Sequence, residues 1–180
     1  HMSDFTLHTL DSAPEHSKPL LEKSLKSFGS IPNLHAVMAA APTVLEAYQN
    51  LHQLFMQTSF NAAEKTVIWQ SINTEHQCHY CVPAHTAIAN MMQVDQQLIT
   101  ALKNNQQLDD AKLQQLRDTT LALVRQRGQL NAGQVQTFYA AGYNRQQLLE
   151  IILGISQKVM SNYINHIAAT PLDDAFKPFA

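Results

Sequence analysis

Apolar residues in this chain return every three to four positions through most of its length. Nowhere do β-branched and polar residues alternate with period two for several residues. The first pattern builds helices with one buried stripe, and the lack of the second leaves a β-sheet without a source. Only 5 Gly and 7 Pro occur in 180 residues, mostly between the periodic segments. The expected fold class is all-α. That length fills one hydrophobic core and is short for two, so residues 3–180 are expected to form a single domain with a Pro-punctuated tail from Thr170.

Start and stop signals divide the chain. After an irregular stretch over 3–14, Leu20, Leu21, Leu25 and Phe28 mark a helix from about Glu15 that Gly29 should stop in a left-handed turn. Asn33 is expected to cap a short helix carrying Leu34, Val37 and Met38, and Pro42 to open a longer one striped by Val44, Leu45, Tyr48, Leu51 and Phe55. Asn61 and Glu64 have capping-box spacing ahead of a helix that should run to about His76. A further helix holds Cys81, His85 and Ile88 and ends near Met92. Asp95, then Asp109 or Asp110, then Asn131 and Asn144 cap helices over about 96–104, 110–127, 132–141 and 145–166. The tail is expected to pack on a neighbouring molecule or fray. An offset of 83 residues sets Phe60-Asn61 on Tyr143-Asn144 and Cys78 on Ser161, so a degenerate internal duplication is one reading.

Twelve basic and 14 acidic residues give a net charge of −2, and Lys and Arg form no cluster, which argues against nucleic acid and membrane surfaces as partners. No apolar run reaches the roughly 18 residues of a membrane span. The chain starts without a secretion signal, so a reducing cytoplasm is the expected compartment; His1-Met2 reads as a cloning remnant and the natural start. Charged residues are only 14% of the chain, against about 25% in an average one, and 19 Gln and 11 Asn take their place. A surface so short of charge is expected to be partly hidden between subunits, with helices 42–58 and 145–166 as the candidate faces.

A reducing compartment makes a structural disulfide improbable, which draws attention to the two cysteines, Cys78 and Cys81. They lie in Glu75-His-Gln-Cys78-His-Tyr-Cys81-Val-Pro-Ala-His85, which gathers two thiols, three histidines and a carboxylate within eleven residues. Thiols at i and i+3 in a first helical turn can close a disulfide, and the helix N-terminus favours thiolate. His85, one turn beyond Cys81, can accept or return a proton, and Glu75 could orient that imidazole or relay its proton. A soft nucleophile, a resolving thiol and a base titrating near neutrality are what peroxide or disulfide reduction requires. Helix-end position points to Cys78 as the nucleophile; stacking beneath His85 points to Cys81, which is taken as the working assignment with Cys78 resolving.

Zinc is an alternative for the same donors, with Cys78, Cys81 and His85 joined by His76, His79 or Glu75. Structural sites usually draw a second ligand pair from a distant segment, and this chain has no such pair. Adventitious zinc in purified protein is compatible with either reading, and no metal or cofactor is expected beyond the cysteine pair itself. His76 and His79 read first as solvated turn residues, His35 and His166 as helix-surface or interface residues, and Glu64 as a cap. Trp69 and Met91-Met92 read as core or subunit contact. A CxxC pair after a strand would suggest a thioredoxin-like unit; here it follows a helix.

The Glu75-to-His85 string resembles the ExxCxxCxxxH signature of the AhpD-like, carboxymuconolactone decarboxylase superfamily. Phe28-Gly-Ser-Ile-Pro-Asn-Leu-His35, Ala140-Ala-Gly-Tyr143, Leu149-Glu-Ile-Ile-Leu-Gly154 and Asn162-Tyr-Ile-Asn-His166 resemble its uncharacterised peroxidase-related branch, so the likeness spans about 28–176. The resemblance implies an antiparallel helical bundle, often with pseudo-twofold repetition, assembled as homo-trimers or homo-hexamers. It implies that Cys78 and Cys81 cycle between dithiol and disulfide, that His85 relays protons, and that the substrate is a hydroperoxide. It further implies a thiol or dithiol reductant, a peroxiredoxin among the candidates. Two departures stand out. The best-known members carry a relay Glu where this chain has Thr66, which leaves Glu75 and Glu64 as candidates, and a His where it has Tyr80. Tyr80 would hydrogen-bond or wall the site. The decarboxylase branch lacks the cysteine pair, so lactone decarboxylation is not carried over. The expected function is a thiol peroxidase or dithiol reductase; a non-catalytic redox adaptor or sensor and a zinc-stabilised structural oligomer are the alternatives.

Overall fold

The computed structural model describes residues 3–180; His1 and Met2, read above as remnant and start, lie outside the described residues. Among those residues there are nine α-helices, two short 3-10 turns and no strand. The helices are α1 (Lys18–Phe28), α2 (Asn33–Met38), α3 (Pro42–Met56), α4 (Ala62–Glu75), α5 (Cys81–Met91), α6 (Gln96–Lys103), α7 (Ala111–Arg125), α8 (Ala132–Ala140) and α9 (Arg145–Ala168). The 3-10 turns cover Glu15–Ser17 and Asp174–Phe179.

Local signals set the boundaries. Asn61 accepts from the Glu64 N–H at 2.8 Å while the Glu64 carboxylate accepts from the Asn61 N–H at 3.0 Å, a complete capping box. Asn131 with Gln134 and Asn144 with Gln147 form two more. Asp95 and Asp110 cap α6 and α7. Gly29 stops α1 at φ +77°, a left-handed conformation that costs glycine nothing.

The cap assigned to Asn33 is corrected. Pro32 holds the N-cap position, and Asn33 is the first helical residue. Its N–H donates to the Asp173 carboxylate and its side chain to the Pro171 carbonyl. Those bonds also correct the tail. Residues 171–180 do not fray; they fold back on α2 and α5, and Phe176 meets the Tyr80 ring edge-on at 5.9 Å.

Helix α4 forms the centre, in contact with α5, α6, α7 and α9. Every residue from Glu64 to Asn73 is buried, so this helix has no solvent face and no strong apolar periodicity. One core surrounds it, built from Phe55, Trp69, Ile72, Leu116 and Phe138 among others. A second, between α1, α2, α3 and the start of α5, holds Leu21, Leu45, Tyr48, Tyr80 and both cysteines. Three helices meet at Gly154 of α9, where a Cβ would stand 2.7 Å from Phe55 and 3.0 Å from Ile68. The segments paired by the 83-residue offset open with like capping boxes, and their leading rings, Phe60 and Tyr143, meet at 6.2 Å.

Candidate active site

The cysteines stand on the joint between α4 and α5. Helix α4 ends in a Schellman motif: the Gln77 N–H donates to the Thr74 carbonyl and the Cys78 N–H to the Asn73 carbonyl. Gln77 takes the left-handed position, at φ +51°, without being glycine. This reversal delivers Cys78 ahead of α5, whose first residue is Cys81. The two are joined as a disulfide, with Cα atoms 5.2 Å apart, inside the ordinary range. Both are about 1% exposed.

Each sulfur is surrounded by donors. The Cys81 N–H, at the start of α5, lies 3.1 Å from Cys78 Sγ. Cys81 Sγ receives the side-chain amides of Asn162 and Asn165 at 3.1 and 3.3 Å, both from α9. Asn162 donates in turn to the side-chain Oδ1 of Asn73 at 3.0 Å and pairs with His76 at 2.9 Å. When the pair is reduced, such donors favour thiolate over thiol at either position.

His85 is buried and packs its ring 4.7 Å from that of Trp69. Its Nε2 lies 2.8 Å from Nζ of Lys158 on α9, and its Nδ1 has no partner among the described residues. Lys158 also reaches the Tyr48 hydroxyl at 3.2 Å and is 1% exposed. Burial holds His85 well below the usual imidazole range, helped by the nearby Lys158 charge, and burial likewise lowers Lys158. His52, stacked on Trp69 at 5.8 Å, is pushed down to about 4 by burial and by Lys158.

These groups open on a cavity of about 680 Å³ between α1, α2, α3, α5 and the folded-back tail. Cys81, His85, Lys158 and Tyr48 line it, while Phe28, Met56, Met91 and Phe176 supply apolar wall. Cys81 lines this cavity and Cys78 does not.

Glu75 does not join His85: its carboxylate takes a two-point ion pair from Arg125 of α7, at 2.8 and 2.9 Å. That guanidinium holds the Glu75 carboxyl below its usual range. Glu64 is spent on its capping box. Tyr80 donates to Asp173 at 2.6 Å and accepts from the Leu34 N–H at 3.3 Å, so it both hydrogen-bonds and walls the cavity. His79 is exposed and pairs through Nε2 with the Thr170 carbonyl at 2.9 Å. The would-be fourth zinc ligands thus have other partners, and among the described residues no cluster of three His, Cys, Asp or Glu is disposed around a metal.

His35 is corrected from the surface to the interior. Its Nδ1 pairs with Ser24 Oγ at 2.7 Å, and burial takes its pKa down to about 3. Trp69 is core, whereas Met91 is 69% exposed.

Sequence reading missed Lys158, Asn162 and Asn165. A signal existed: Lys158, Ser161, Asn162 and Asn165 share one face of α9, and all four are buried. A polar stripe on a long helix whose other face is Leu149, Ile152, Tyr163 and Ile167 marks a helix turned inward by its polar side.

The chain has the AhpD-like fold. Its structure matches the AhpD-core, uncharacterised peroxidase-related protein of Ralstonia eutropha JMP134 with a TM-score of 0.85 at 18% identity, over 98% of this chain and 95% of that one. An uncharacterised peroxidase-related protein of Silicibacter sp. TM1040 matches at 0.80, with 18% identity over 96% and 92% of the two chains. The debrominase Bmp8, in a variant solved with 2,3,4-tribromopyrrole, also matches at 0.80, with 17% identity over 99% and 97%. No protein-family profile and no curated protein matches the sequence. No helix among the described residues is long and apolar enough to cross a membrane.

Proposed function

We propose that this protein is a thiol-dependent reductase of organic hydroperoxides, with Cys81 attacking and Cys78 resolving. The observation that carries the reading is the position of Cys81: of two sulfurs close enough to bond, it alone lines a cavity that also presents His85 and Lys158. In the reduced enzyme the Cys81 thiolate, held by two amide donors, attacks the distal peroxide oxygen and breaks the O–O bond. The alkoxide leaves with a proton supplied through the His85–Lys158 pair. Cys78 then attacks the Cys81 sulfenic acid, water departs, and the disulfide closes. The two electrons come from the thiols, and an external thiol or dithiol restores them. A peroxiredoxin could serve if the tail over Tyr80 moves, because both sulfurs are buried. A reducing cytoplasm suits such a cycle.

Assembly as a trimer or hexamer is part of the proposal. Leu149, Ile152, Tyr163 and Ile167 on α9, with Leu54 and Met56 on α3, are exposed apolar residues on the two helices expected to face neighbouring subunits. Light scattering tests it, and a monomer refutes it.

The central test exposes reduced protein to limiting cumene hydroperoxide. Loss of two hydrogens with a Cys78–Cys81 crosslink, and loss of turnover in Cys81→Ser, is the expected result. Oxidation without multiple turnovers would favour the sensor reading, and full activity in both single Cys→Ser variants would refute the mechanism. A second reading rests on the likeness to the debrominase: the same dithiol could reduce an aryl bromide to arene, bromide and disulfide, and bromide release would report it.

A further inference from the structure

Burial strips an ammonium of hydration at a large cost unless an anion replaces the water. Lys158 is 1% exposed, and its polar partners, the Tyr48 hydroxyl and the His85 imidazole, carry no negative charge. Among the described residues no carboxylate forms an ion pair with it. The charged side chains lining the cavity besides Lys158 are Lys23, which is exposed, and Asp173, already held by Tyr80 and the Asn33 N–H. The histidines that line it, His35, His52 and His85, all lie below the usual imidazole range through burial and stay neutral near pH 7. The cavity lining therefore holds one buried amine without a counter-ion, together with Cys81.

We infer that the cavity binds a compact organic acid and that Lys158 receives its anionic group. Bound as the anion on a charged amine, or as the acid on a neutral one, the ligand ends in the same ion pair. The cavity sets its shape: its volume of about 680 Å³ admits a compact body, its apolar walls of Phe28, Met56 and Phe176 suit an aromatic ring, and Cys81 lines the same space as Lys158. Calling the bound acid a substrate rests on the dithiol reading above; the binding site does not.

Calorimetry on the oxidised protein with three isosteres, 2-naphthoate, 2-naphthamide and 2-naphthylmethylammonium, tests it without turnover. The expected order in the unaltered protein is anion, then amide, then cation, with the anion at least tenfold tighter than the amide. Lys158→Met should bring anion and amide within twofold, whereas Lys23→Gln should preserve the preference. Equal affinities, a different order, no binding of the anion, or a preference that survives Lys158→Met would each overturn the inference. The order in the unaltered protein decides alone if Lys158→Met does not fold. Turnover of cumene hydroperoxide is read separately, so failed catalysis with intact charge selection refutes the dithiol reading and leaves this site standing.

Discussion

Nζ of Lys158 lies 2.8 Å from Nε2 of His85, and neither side chain has a carboxylate partner among the described residues. The position beside the histidine, where an acid was expected to complete the proton relay, is held by an amine. Glu75, the acid of the cysteine motif, is paired with Arg125 instead.

Replacing Glu75 by Gln should therefore be mild. The pair with Arg125 is partly exposed, with side chains 26% and 57% accessible, and such pairs are worth under about 1 kcal/mol. Hydroperoxide turnover should stay within twofold. A tenfold fall with an altered pH profile would return Glu75 to the relay.

Asn165→Leu should act on the thiol. Asn165 donates to Cys81 Sγ at 3.3 Å, and a hydrogen bond to a charged group contributes about 1.5–3 kcal/mol. In a Cys78→Ser background the Cys81 thiol pKa should rise by about one to two units, read from thiolate absorbance against pH. An unchanged titration would remove Asn165 from the site.

Gly154→Ala should destabilise despite the better helix propensity of Ala, worth about 1 kcal/mol. The new methyl would stand 2.7 Å from the Phe55 ring where α3, α4 and α9 meet, and overpacking costs about 1–3 kcal/mol. Chemical denaturation should show a net loss, and a gain in stability would mean that the ring gives way.

Gln77→Gly should stabilise. Gln77 sits at φ +51° in the turn that carries Cys78, where a Cβ costs roughly 1 kcal/mol and glycine none. A rise of about 2–4 °C in Tm is expected for a chain of this size. No rise would show that the strain is relieved elsewhere.

Acid should unfold the protein through its interior histidines. His35 and His52 have folded pKa values of about 3 and about 4, below the ordinary 6.5, so between those limits the unfolded chain binds protons that the folded chain refuses. Their stabilisation is complete above pH 6.5 and is lost as pH falls, by about 2 kcal/mol each at pH 5. Denaturant midpoints at pH 7.5 and 5 should differ accordingly, and His35→Gln should shrink the gap. A pH-independent midpoint would refute it.

Features that depend on near neighbours are legible in the amino-acid order. Caps at Asn61, Asp110, Asn131 and Asn144 are contacts between residues three apart, and the cysteine pair and His85 lie on consecutive turns, so spacing alone foretells them. Asn33 is not a cap because it enters α2 as its first helical residue, with its N–H on Asp173, 140 residues away, and its side-chain amide on the Pro171 carbonyl. The chemistry around the sulfurs was decided only by tertiary packing. Asn165 and Lys158 reach Cys81 and His85 across 84 and 73 residues of chain. Whether a lysine on a helix is solvated or buried against an imidazole is not written in its local pattern. It follows from which face α9 turns inward, and that depends on helices distant in sequence: Phe55 of α3 and Ile68 of α4 close on Gly154, while Lys158, Ser161, Asn162 and Asn165 on α9 are buried.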